Sequence, residues 1–117
     1  MMNAIDKIFS NQLGISFFWK KEEVSITPRI QLVFKDIGFL LSVNELKDFS
    51  NACTIALQTQ CAACKTPKTC KSLLLKTPSD KIDLAVNKEE LDQIKGLINE
   101  TIFRVELKNW MRNLCLN

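Results

Sequence analysis

Two stretches of the chain follow the same order of apolar and polar positions. The first, RIQLVFKDIGFLLSVNELKDFSNACTIAL, runs from Arg29 to Leu57. The second, KSLLLKTPSDKIDLAVNKEELDQIKGLINETI, runs from Lys71 to Ile102. From Ile37 and Ile82 onward they align without gaps, so that Ile37 matches Ile82, Phe39 matches Leu84, Leu46 matches Leu91 and Phe49 matches Ile94. Few letters are identical. What the two share is a loose internal repeat of strand, turn, strand and helix.

In each copy an apolar run comes first, Ile30 to Phe34 or Leu73 to Thr77, followed by a short polar turn, Lys35-Asp36 or Pro78-Ser79-Asp80. A second apolar run follows, Ile37 to Leu41 or Lys81 to Val86. Strand-length runs separated by turn residues predict a hairpin. Each hairpin leads into a helix-start signal, Ser42 with Glu45 and Asn87 with Glu90. The cap side chain can accept from the amide three residues on, while the glutamate reaches back to the cap amide. The first helix is expected over Val43 to Gln58, with Leu46, Phe49, Cys53, Ala56 and Leu57 on its apolar face. The second begins near Lys88, with Leu91, Ile94, Ile98, Ile102 and Val105 as its stripe.

Beyond Phe103 that stripe changes side. Leu107, Trp110, Met111 and Leu114 project from nearly the opposite side of a straight helix. One small sheet cannot bury both faces. The helix end must therefore bend, be covered by Ile5, Ile8, Phe9 and Phe17, or meet a second subunit.

Toward the amino terminus, Ile5, Ile8 and Phe9 share one side of an amphipathic helix expected over Met2 to Leu13, which Gly14 would end. Ile15 to Lys20 and Val24 to Ile26 read as a further hairpin turning through Lys21 and Glu22. The fold class predicted is α+β: an antiparallel sheet of at least four strands, built from two tandem hairpin–helix (ββα) units, with the helices on one face. The whole chain, 1–117, reads as a single domain: a first unit at 29–58, a cysteine-containing loop at 59–70 and a second unit at 71–115.

Composition narrows the class. With 46% hydrophobic and 25% charged residues the chain suits a packed domain rather than a disordered one. No apolar run approaches the roughly 20 residues of a membrane span, so no membrane partner is expected. The early acid Asp6 and the lack of an unbroken apolar stretch do not resemble a secretion signal, and a cytoplasmic protein is expected. A net charge of +3 does not call for a polyanionic partner.

Chemistry concentrates in the cysteines, Cys53, Cys61, Cys64, Cys70 and Cys115. Cys61 and Cys64, two residues apart in a turn, can aim both sulfurs at one metal ion. Cys70 would be a third ligand and Cys53 a fourth, with Cys115 as the alternative fourth. Such a sulfur site suits zinc. Two other readings stand beside it: packing thiols, since Cys53 falls on an apolar helix face, and a redox pair at Cys61 and Cys64 favoured by Lys65, Lys68 and Lys71.

The run LVFKDIGFLLSVNELKDF, together with a cysteine pair preceding a hairpin and helix, resembles a group of small uncharacterised bacterial proteins. Cys61 and Cys64 precede the second unit in that group's manner. This chain departs from it in the additional Cys70 and in having Ile94 where an aromatic would stand. The resemblance implies a fold and no site.

Several chemistries are excluded. With no histidine, Ser-His and Cys-His nucleophile systems are absent. Three glycines and no Walker-type or G-x-G-x-x-G turn leave no phosphate cradle of those kinds. Phe17, Phe18 and Trp19 before Lys20 and Lys21 offer stacking beside charge, but alternation puts Phe17 and Trp19 on one side of a strand and Phe18 on the other, and nucleic acid is not the expected partner. The leading reading is a non-enzymatic interaction module that forms homodimers through the segment Phe103 to Leu116, with Leu107, Trp110, Met111 and Leu114 as the interface residues. A zinc-binding protein and a thiol redox protein are the alternatives.

Overall fold

The computed structural model describes residues 5–20, 29–58 and 73–116. Four strands, β1 (Ile5–Ser10), β2 (Gly14–Trp19), β3 (Ile30–Phe34) and β4 (Ile37–Leu41), form one antiparallel sheet in sequence order. Helix α1 (Val43–Gln58) follows, then a separate antiparallel pair, β5 (Leu73–Lys76) and β6 (Asp83–Val86), and the long helix α2 (Lys88–Leu116). The class is α+β, with each helix entered from a hairpin.

The first hairpin turns through Lys35 and Asp36, whose φ angles are 53° and 72°. Two left-handed central residues give the tight turn whose twist matches the strands it joins. Buried Ile30, Leu32, Phe34 and Leu41 face the helices, where Leu46, Phe49 and Cys53 of α1 meet them. Gly14 lies opposite Phe34 in the β2–β3 pairing, and a Cβ there would stand 2.2 Å from the Val33 carbonyl oxygen. No larger residue lets β2 approach so closely.

Both predicted capping boxes close. The Ser42 amide donates to Glu45 Oε1 at 2.9 Å and the Glu45 amide to Ser42 Oγ at 3.2 Å. At α2 the Asn87 amide donates to Glu90 Oε1 at 3.1 Å and the Glu90 amide to Asn87 Oδ1 at 2.7 Å. The Ser42 backbone amide and the Arg29 guanidinium both favour the Glu45 carboxylate, so its pKa lies below its ordinary value; the Ser42 amide is the larger cause, and burial opposes both.

Three differences from the sequence expectations stand out. Residues 5–10 are an edge strand rather than part of a helix. The β1–β2 register slips between Lys7 and Phe9. A bulge puts an additional residue into a strand and breaks its two-residue period, so apolar residues at 5, 8 and 9 imitate helical spacing. Second, the four-stranded sheet is made by β1–β4, while among the described residues β5 and β6 pair only with each other. That hairpin reaches the common core by packing β5 on α1, through Leu73 and Leu75. Third, β6 begins at Asp83 because Lys81 and Ile82 belong to the turn, where Thr77 Oγ1 donates to the Ile82 carbonyl at 2.6 Å. The expected strand at Val24–Ile26 lies outside the described residues.

Helices α1 and α2 run antiparallel on one face of the sheet. Lys47 pairs with Glu106 at 2.9 Å, and Ser50 donates to Asn99. A buried polar link joins α2 to β2: Thr101 Oγ1 donates to the Leu97 carbonyl at 2.6 Å and lies 2.6 Å from Ser16 Oγ. Ser16 Oγ also lies 3.4 Å from the Phe9 carbonyl, so the two hydroxyls and the two carbonyls form one buried polar chain.

Candidate interaction surface

A helix of 29 residues is about 43 Å long, more than this small body can cover. Its first part is buried through Leu91, Ile94, Leu97, Ile98, Thr101 and Val105. From Glu106 through Leu114 every residue is exposed. Phe103 and Trp110 are each 59% exposed, Met111 and Leu114 53%, and Leu107 40%. Phe103, Trp110 and Leu114 lie on the side of α2 away from the core, and Leu107 and Met111 continue that stripe to the edge that borders β1 and β2. Single exposed apolar residues are ordinary, but a contiguous stripe with two aromatics is not.

The intrachain cover considered from the sequence is partial. Ile8 and Phe9 of β1 and Phe18 of β2 pack against the core cluster beside α2. They end in an open groove of about 330 Å³, whose walls include Ile8, Phe18, Val105, Leu107 and Met111. Two cations bind the helix to the sheet across it. The Arg104 guanidinium lies 5.0 Å from the centre of the Phe9 ring and pairs with Glu100 at 3.2 Å. Lys108 Nζ lies 5.9 Å from the Phe18 ring centre and 3.6 Å from Asp6. Beyond Val105 the core side of α2 thus carries Lys108, while Leu107 and Met111 border the groove and Phe103, Trp110 and Leu114 are turned away from it. Amphipathicity reverses along one helix.

Phe17 lies on the opposite face of the sheet, beside Gln31 in the β2–β3 register, and is not part of the helix-facing core. It is buried there, with Trp19 edge-on at a ring-centre distance of 5.0 Å. Trp19 Nε1 donates to Gln31 Oε1 at 3.0 Å, and Gln31 Nε2 donates to the Phe39 carbonyl at 3.2 Å. The alternation expected for Phe17, Phe18 and Trp19 is therefore the observed one. The outer-face pair is engaged edge to face instead of lying open as a stacking platform.

Of the cysteines, Cys53 is fully buried in the apolar core on α1. Burial pushes its thiol up to about 12, with Lys95 opposing the shift, so it is protonated at neutral pH. Cys61, Cys64 and Cys70 lie outside the described residues. Cys115 falls in the last turn of α2. Among the described residues no three cysteine or carboxylate side chains come together as a metal site, and no helix is long and apolar enough to cross a membrane.

Phe103 lies in the segment expected to self-associate, although it was not among the four side chains named for the contact. It sits one turn before Leu107, and its outward side was hidden by the neighbouring Ile102 and Val105 of the buried stripe. Leu97 and Thr101 were missed on the core side for the opposite reason: the stripe there is broader than a narrow seam. No protein-family model, curated protein or solved structure matches this chain.

Proposed function

We propose that this protein is a non-enzymatic interaction module that self-associates through the carboxy-terminal half of α2. The observation that carries this reading is the outward stripe of Phe103, Leu107, Trp110, Met111 and Leu114 on a helix whose opposite side is already packed or ion-paired to its own chain. Leaving five such side chains in water forfeits roughly 1.5–3 kcal/mol for each large residue that could be buried. A partner surface recovers part of that.

Sedimentation velocity over a range of concentrations tests the reading. The wild-type chain is expected to shift from monomer to dimer in the micromolar range. Trp110→Glu is expected to stay monomeric with an unchanged circular dichroism spectrum, since Trp110 is 59% exposed and lies outside the buried core. A wild-type protein that remains strictly monomeric at high micromolar concentration overturns the proposal.

A further inference from the structure

We infer that the partner on α2 is a second copy running antiparallel, with Phe103 of each chain against Leu114 of the other and Leu107 against Trp110. This inference rests on the self-association reading and specifies its geometry.

The stripe is its own complement. Phe103, Leu107, Trp110 and Leu114 are spaced four, three and four residues apart, so the pattern reads the same in both directions about a point between Lys108 and Asn109. Such a spacing is that of alternating core positions in a coiled coil. A two-fold axis through that midpoint brings each aromatic to a leucine, giving four layers of similar thickness. A parallel pair would instead stack Phe103 on Phe103 and Trp110 on Trp110, alternating with thin leucine layers. Helix axes at a constant separation favour the mixed layers.

Charge favours the same direction. Glu100 lies one step before Phe103 on this face, so a parallel pair would set Glu100 against its own copy. The antiparallel pair removes Glu100 from that position and also opposes the two helix dipoles. Area is consistent with a reversible contact. On the scale of aromatic side chains, the five exposed residues offer roughly 500 Å² per copy. That is below the about 800 Å² per partner of an ordinary stable interface, as suits a reversible contact.

Photo-cross-linking measures the direction without disturbing the cysteines. The full chain carrying Phe103→p-benzoylphenylalanine is mixed with nitrogen-15-labelled wild type, irradiated and digested with trypsin, and only mixed-isotope pairs are read. Lysine and arginine positions put Phe103 in peptide 96–104, Trp110 in 109–112 and Leu114 in 113–117. Cross-links to 109–112 and 113–117, with loss of those to 96–104, are expected. A dimer whose cross-links return to 96–104 or 105–108 overturns the antiparallel register and leaves self-association standing. A dimer without cross-links from this position overturns the assignment of its surface, and a monomer by sedimentation overturns both.

Discussion

The two hairpin–helix units begin alike and end differently. In the first, the hairpin β3–β4 is extended by β2 and β1 into a four-stranded sheet, and the 16 described residues of α1 bury Leu46, Phe49, Cys53 and Ala56 along their length. In the second, β5–β6 is a two-stranded pair among the described residues, and the hairpin leads into a helix of 29 residues. Both helices start from the same reciprocal cap. Local chemistry therefore sets where a helix begins, whereas the supply of apolar surface sets how much of it is buried. The second unit exceeds that supply, and its apolar side turns outward where its own core ends.

The largest expected effect concerns what makes the first unit's sheet wide. Gly14→Ala drives a Cβ into the Val33 carbonyl, and overpacking of this kind costs about 1–3 kcal/mol or more. Denaturant unfolding should show a lower midpoint for that variant. An unchanged midpoint would mean that β2 does not depend on that close approach.

Next is the link between the first unit's sheet and the second unit's helix. Thr101→Val keeps the volume but removes the hydroxyl that Ser16 meets at 2.6 Å inside the core, a loss of about 1–3 kcal/mol in unfolding free energy. Adding Ser16→Ala should recover part of it, because the Ser16 hydroxyl, left with only its longer 3.4 Å contact to the Phe9 carbonyl, is then removed as well. Full additivity of the two losses would contradict the pairing.

The caps test where the units are alike. Ser42→Ala and Asn87→Ala should each cost about 1 kcal/mol in urea unfolding. A large inequality would show that the two boxes are not equivalent. Glu45 adds a pH signature. Its folded pKa is lowered from 4.5, so its contribution is complete above the unfolded value and disappears as pH falls through the folded one. The stability difference between wild type and Glu45→Gln should be constant near neutrality and shrink below about pH 4.5.

The smallest expected effect is a gain. Asp36 holds a φ of 72° in the first hairpin's turn, and Asp36→Gly should stabilise by a few tenths to about 1 kcal/mol, readable as a raised thermal midpoint. The second hairpin, whose turn is organised by Thr77, has no equivalent position to improve.

Much of this architecture is legible in the residues. The strands at 30–34 and 37–41, the helix at 43–58 and both caps depend on near neighbours, and near neighbours are what a sequence displays. The edge strand β1 was not legible as a strand, because its bulge gives Ile5, Ile8 and Phe9 a helical rhythm. The separation of the two sheets was also hidden. Which strands pair depends on contacts between distant segments, and apolar alternation in β3 and β5 looks the same whatever their neighbours. The displaced stripe on α2 could be read because amphipathicity reverses within one helix. That its cover is incomplete followed only from the placement of Ile8 and Phe18.

The most direct test of α2's outward face is the dependence of the thermal midpoint on protein concentration in wild type and Trp110→Ala. The wild-type midpoint should rise with concentration, as binding to the folded state requires. The variant's midpoint should be independent of concentration and equal to the wild-type value at high dilution. A flat wild-type curve, or a variant that melts lower even at high dilution, would place Trp110 in its own chain's stability and contradict the account.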